Sequence, residues 1–153
     1  MKKMNNKGFS LVELIIVIAI MAILLVVLAP QYLKYVERSR NSTDLQNAAE
    51  IVTALQIYAS DPEATVAPAA GDITIGNAAI TPAAGSFEAA ALADAGLMNG
   101  AQLETRCQSR TNWDSYKIEW TISNGNLQFT YTSTLNGNPC NPDTFKTRMA
   151  GGN

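Results

Sequence analysis

From Phe9 to Ala29 the chain is apolar except for Ser10 and the carboxylate of Glu13. About 20 such residues in a helix span the hydrocarbon of a bilayer. This run limits the fold more than any other feature, because a helix that is apolar all round has to be taken out of water on every side. A carboxylate in hydrocarbon costs roughly 2.5–3.5 kcal/mol on insertion scales, and ionisable groups there tend to be functional. Glu13 is therefore the first candidate site residue. A secretory signal is the rival reading, since Val27-Leu28-Ala29 has the look of a small-residue cut site. Its apolar region is about 7–15 residues long, however, and the cut would leave Pro30 in the scissile bond.

Of the 153 residues, most large aliphatics lie in the first sixty, and the remainder is rich in Ala, Thr, Asn and Gly. The contrast suggests an apolar anchor joined to one polar, exported globule. A net charge of -2 and a pI near 5.0 provide no basic field for nucleic acid. The chain has no histidine, so neither a Ser-His-Asp triad nor a His-based zinc site can be built. Cys107 and Cys140 are too few for an all-cysteine zinc site. A disulfide formed in an oxidising compartment fits them, with free buried thiols as the alternative.

Beyond Pro30, the residues Leu45, Ala48, Val52, Leu55 and Ala59 recur at three- and four-residue steps, widened by Ile51 and Tyr58. They predict an amphipathic helix, ended by Asp61-Pro62 because the residue before proline avoids the helical region. A continuous helix over 9–60 would be about 78 Å long at 1.5 Å per residue. The domains expected are a span at 9–29, its amphipathic continuation at 30–60, and a head at 61–153. Pro30 removes the hydrogen bond to the Val26 carbonyl, a weak point in the helix. Thr43 with Gln46 reads as a capping box, but the apolar stripe calls for continuity there.

Within the head, 62–100 reads as a connector in which Pro68-Ala-Ala-Gly71 is echoed by Pro82-Ala-Ala-Gly85. Ile73–Ile75 is a candidate short strand, and Ser86 caps a short helix stopped by Gly96. At 116–132 two alternating runs flank Asn124-Gly125, the preferred two-residue hairpin turn. This turn pairs Trp120 with Phe129 and Ile118 with Tyr131, and it collects the apolar residues on one face. The expected class is α+β: a long N-terminal helix whose amphipathic half packs against a small antiparallel sheet.

Lys2, Lys3 and Lys7-Gly8, followed by the motif G-F-S-L-V-E-L, resemble the class III leader of type IV prepilins. The resemblance covers roughly the first 60 residues, Pro30 included. It implies a leader, 1–8, cut between Gly8 and Phe9 by a membrane prepilin peptidase that then N-methylates Phe9. It also implies a pilin-like fold and a helical homopolymer of identical subunits, raised by an assembly ATPase and an inner-membrane platform. In such filaments the amine of Phe9 lies near the glutamate of a neighbour, here Glu13, and the region of Pro30 can unwind locally. An α-amine of pKa about 7.7–8.0 is largely protonated at neutral pH, so it suits a carboxylate partner. The basic residues flanking the span tie, with Lys2, Lys3 and Lys7 before it and Lys34, Arg38 and Arg40 after it. An inside N-terminus therefore rests on the cut-site motif.

The Cys107–Cys140 bond would resemble the disulfide-bounded C-terminal region of many type IV pilins. With no histidine, no nucleophile motif and no basic field, no catalytic residues, cofactor, resident metal or specific nucleic acid is expected. The subunit would be a single-pass membrane precursor and later part of a surface pilus. The major pseudopilin of a type II secretion system is the alternative, and a membrane-anchored receptor or enzyme a more distant one. Asn136, Asn138, Asn141 and Asp143 could offer oxygen ligands to calcium, as in pseudopilins, but one carboxylate without EF-hand spacing reads better as a turn. The aromatics Phe9, Tyr32, Tyr35 and Tyr58 read as packing rather than as an electron path.

Overall fold

The computed structural model describes residues 10–140 and 143–151. Helix α1, Leu11–Ser60, passes through Pro30 and is helical at both Thr43 and Gln46. Thr43 Oγ1 donates to the Ser39 carbonyl one turn back, and Gln46 Nε2 donates to Glu50 Oε1 one turn on. Both side chains thus serve the running helix instead of starting a new one. The chain divides into two compact units, the first ending at Val36 and the second beginning at Glu37. In the first, every described residue from Ser10 to Tyr35 is exposed.

The second unit carries the core. Its other elements are β1 (Gly71–Ile75), α2 (Phe87–Asp94), β2 (Met98–Asn99), β3 (Gln102–Leu103), β4 (Ser115–Ser123), β5 (Asn126–Leu135), β6 (Asn138–Pro139) and α3 (Thr144–Met149). The main sheet has the order β1-β4-β5-β6, with every neighbouring pair antiparallel. Asn124 and Gly125 take φ of 53° and 78°, the left-handed pair that a type I′ turn demands. The β4–β5 register matches the one the turn predicts, with Ile118 opposite Tyr131 and Trp120 opposite Phe129. Tyr116, Ile118 and Trp120 are buried, whereas Ile122 near the tip is 44% exposed and Leu127, Phe129 and Tyr131 are half-buried.

The buried face of α1 is displaced from the one the apolar pattern predicts. It comprises Asn41, Asp44, Ala48, Ile51, Ala54, Leu55 and Tyr58, while Leu45, Val52 and Ala59 lie half-buried at its margins. Two polar residues open that face, and a search for apolar spacing passes over them. Tyr58 packs on Phe87, and Phe87 on Trp120, at centroid distances of 5.9 and 6.5 Å. Phe145 of α3 lies edge-on to Trp113 and stacks on Tyr116 at 4.5 Å.

The predicted connector is more ordered than its composition suggests. The strand expected at Ile73–Ile75 extends back to Gly71 and forms the edge beside β4. A methyl group on Gly71 would sit 2.9 Å from Trp120 Cζ2, so only glycine lets the indole lie against this strand. The indole Nε1 donates to the Ala69 carbonyl at 2.8 Å. The echoing Gly85 instead has φ of +77° with nothing near it, so the two halves of the echo do different work. Ser86 caps α2 by accepting from Ala89 N–H. The helix ends in a Schellman arrangement, with Gly96 N–H on Ala93 and Leu97 N–H on Leu92.

Candidate functional site

Of the predicted site residues, Gly8 and Phe9 lie outside the described residues, as does Asn141 of the weighed calcium set. Glu13 is the third residue of α1, and its Oε2 accepts the backbone N–H of Ser10 at 2.9 Å. This is the carboxylate half of an S-x-x-E capping box, satisfying one of the amide donors that a helix start leaves unpaired. The signal stands in the sequence as Ser10-Leu-Val-Glu13, yet the apolar run and the cut-site motif draw attention away from it. Capping uses one of about four lone-pair positions on the carboxylate. The charge also faces the positive end of the helix dipole.

Around and beyond Glu13 the helix surface is apolar on every side. Leu14, Ile18, Leu25 and Val26 are between 58% and 75% exposed, and no described residue of this unit has a core to enter. The helix holds a window long and apolar enough to cross a membrane by length and composition. Tyr32 and Tyr35 follow it, both exposed, where amphipathic rings suit a lipid–water boundary. Pro30 lies inside the helix at the end of the apolar run.

The second half of α1 is fixed to the head by two carboxylates two turns apart on one face. Asp44 is fully buried. Its Oδ1 accepts Gln108 N–H at 2.7 Å, and its Oδ2 accepts Ser109 N–H and Trp113 Nε1, both at 2.9 Å. Glu37 Oε1 accepts Ser109 Oγ at 2.6 Å, Arg110 N–H at 2.8 Å and Thr111 N–H at 3.0 Å. Its Oε2 is 3.6 Å from Arg40. Burial would raise the Glu37 pKa, but the donors of Ser109, Arg110 and Thr111 outweigh it and hold the carboxyl at about 2. Residues 108–113 thus wrap their amides around two helix carboxylates, and β4 starts directly after them. Sequence reasoning missed this clamp, whose only trace is an acidic pair, Glu37 and Asp44, spaced seven residues apart.

The structure holds both cysteines as free thiols, in place of the expected disulfide. Cys107 is buried and donates to Asp44 Oδ2 at 3.4 Å, whereas half-buried Cys140 donates to the Asn112 carbonyl at 3.3 Å. A bond would require both sulfurs to leave these acceptors. Burial, with the Asp44 charge beside it, pushes the Cys107 thiol up to about 12. Almost no thiolate then exists at pH 8, and the thiolate is the reactive form. Cys140 should therefore react with iodoacetamide at pH 8 in folded protein, and Cys107 only after denaturation. Peptide mapping of the labelled protein checks this; equal labelling rates, or no free thiol at all, would contradict it.

Among the described residues no group of three or more His, Cys, Asp or Glu is placed to hold a metal. Asp143 caps α3 through Lys146 N–H and binds Ser133 through both its oxygens. It is committed to joining α3 to β5.

Residues 3–29 match the family model of the prokaryotic N-terminal methylation motif. The chain is 31% identical over 125 residues to prepilin peptidase-dependent protein A of Clostridium perfringens, covering 80% of this chain and 83% of that protein. It is 39% identical over 59 residues to the type IV major fimbrial protein FimA of Dichelobacter nodosus, covering 39% and 38% of the two chains. It is 36% identical over 59 residues to the type IV major pilin protein PilA of Myxococcus xanthus, covering 39% and 27%. The matched segment thus spans under two fifths of FimA and about a quarter of PilA. No solved structure matches the chain.

Proposed function

Because the chain belongs to the type IV pilin family, we propose that it is the structural subunit of a type IV pilus, polymerised through its N-terminal helix. The observation that carries this reading is the apolar surface of 10–35, exposed on all sides of the helix. Burying such surface stabilises by roughly 25 cal/mol per Å². A bilayer takes it up before assembly, and the helices of identical subunits take it up inside a filament. Glu13 supports the same reading. Its cap on Ser10 N–H leaves lone pairs and the full negative charge for the ammonium of Phe9 in a neighbouring subunit. In the lone precursor the capping bond offsets part of the cost of a carboxylate in hydrocarbon.

In this reading a prepilin peptidase cuts after Gly8 and N-methylates Phe9. An assembly ATPase and an inner-membrane platform then extract the subunit from the membrane into a pilus on the cell surface. Pro30 supplies a point where the helix can unwind as subunits pack. Mass spectrometry of sheared surface filaments should find a subunit that starts at N-methylated Phe9. Filaments whose subunits retain Met1 would overturn the processing, and a processed chain found only in short envelope-bound filaments would favour the pseudopilin alternative.

A further inference from the structure

Strand β5 pairs with β4 along its whole length, but with β6 only at Thr134 and Leu135. The two-residue turn makes Asn126, Gln128, Thr130 and Thr132 bond to β4, so Leu127, Phe129, Tyr131 and Ser133 direct their N–H and C=O groups outward. Ser133 is provided for: its N–H donates to Asp143 Oδ2 and its carbonyl accepts the Cys140 N–H, both at 2.9 Å. Among the described residues, no hydrogen bond reaches the outward groups of Leu127, Phe129 or Tyr131. We propose that this open edge pairs antiparallel with the same edge of a second copy of the chain, joining separate filaments side by side.

The two edges of the main sheet differ in how they are protected. Proteins blunt a sheet edge by keeping it short or by placing charge or proline on it. The edge strand β1, Gly71–Ile75, is short and carries Asp72. No charged residue stands between Glu119 and Asp143, and β5 contains neither proline nor glycine. Such an edge takes up a further strand through its backbone groups.

Its free groups are self-complementary. They run only from Leu127 to Tyr131, so the antiparallel register with a two-fold axis at Phe129 is the one that satisfies all of them in both copies. It sets Phe129 against Phe129 and Leu127 against Tyr131 on the core-facing side, covering three half-buried side chains. On the solvent side Gln128 of one copy meets Thr130 of the other, without charge repulsion.

That axis stands normal to the sheet. Ala48, Ile51 and Leu55 of α1 share one core with Tyr116, Ile118 and Trp120, so α1 lies across the inner face and the axis turns the second copy's helix end for end. Subunits of one helical filament all point the same way, so this isologous contact lies between two antiparallel filaments. The setting rests on the pilus reading above; the pairing itself does not. A standard interface uses roughly 20–30 residues a side, far more than this edge, so the contact holds where many copies act together.

The test needs no filament and uses the full chain reconstituted in phosphatidylcholine vesicles. Opposed vesicles present their heads in the same end-for-end relation, so light scattering should show them clustering. Gln128→Lys combined with Thr130→Lys sets like charges opposite each other and should slow clustering about tenfold, as should Gln128→Glu combined with Thr130→Glu. Mixing the Lys vesicles with the Glu vesicles should restore it. Both side chains are exposed, so the changes leave the core intact. Hydrogen exchange uses the unaltered chain and stands even if a variant misfolds. The amides of Leu127, Phe129 and Tyr131 should exchange about tenfold more slowly in clustered than in dispersed vesicles, and those of β1 should not change. Unaltered vesicles that stay dispersed, variants that cluster like them, or a mixture no better than its parts would each overturn the proposal. Clustering by a chain that forms no pilus upholds the pairing and removes only its setting between filaments.

Discussion

Glu13→Gln is expected to leave subunit abundant in the membrane while filament yield falls at least tenfold. Glutamine still accepts the Ser10 N–H, so the helix start observed here survives, and only the charge is removed. In the proposed filament the neighbour's Phe9 ammonium would then be stranded among Ile, Leu and Val side chains, at an effective cost of several kcal/mol per ion. Each 1.4 kcal/mol is tenfold in an equilibrium constant, so even a fraction of that cost suppresses assembly. Glu13→Ala removes both charge and cap, and should assemble no better. The measurement is the ratio of sheared surface filament to membrane-bound subunit at matched expression. If Glu13→Gln assembles like wild type while Glu13→Ala does not, the residue acts as a cap and the docking role is wrong.

The largest loss of stability should come from Asp44→Ala. Four donors, Gln108 N–H, Ser109 N–H, Trp113 Nε1 and the Cys107 thiol, lose their acceptor at a fully buried position. Each buried donor left unsatisfied costs about 1–3 kcal/mol, so the three N–H donors alone account for about 3–9 kcal/mol. Domains are stable by about 5–15 kcal/mol, and the variant should be close to unfolding at 37 °C. Fluorescence of the buried Trp113 and Trp120 reports it in a denaturant titration of the detergent-held chain; a loss under 1 kcal/mol would show that the clamp contributes little. Glu37→Ala sits at a wetter position and should cost about 2 kcal/mol.

The Glu37 contribution also has a defined pH dependence. Its carboxyl is held at about 2, below the ordinary 4.5, so the stabilisation is present above pH 4.5 and is lost as pH falls from there toward 2. In Glu37→Gln that part of the acid dependence should disappear.

What could be read from the chain alone was whatever a few neighbouring residues decide. The apolar run forces a helix that nothing in its own unit covers. Asp61-Pro62 ends α1, Ser86 starts α2, and Asn124-Gly125 sets a register in which a one-residue slip would turn every side chain to the wrong face. Even the Glu13 cap was legible, as Ser10 and Glu13 stand three residues apart. Tertiary structure decided what depends on residues far apart in the chain. Asp44 meets its donors 63, 64, 65 and 69 residues away, and Glu37 meets its own 72 to 74 away. No periodic pattern encodes such a meeting, and a polar residue heading a buried stripe looks from sequence like its solvent edge. The same holds for Gly71 beneath Trp120 and for the two thiols, whose hydrogen-bond acceptors lie 63 and 28 residues away. Local signals set where elements start, stop and turn; the buried carboxylates, paired only once those elements pack, set how the helix is held to the head.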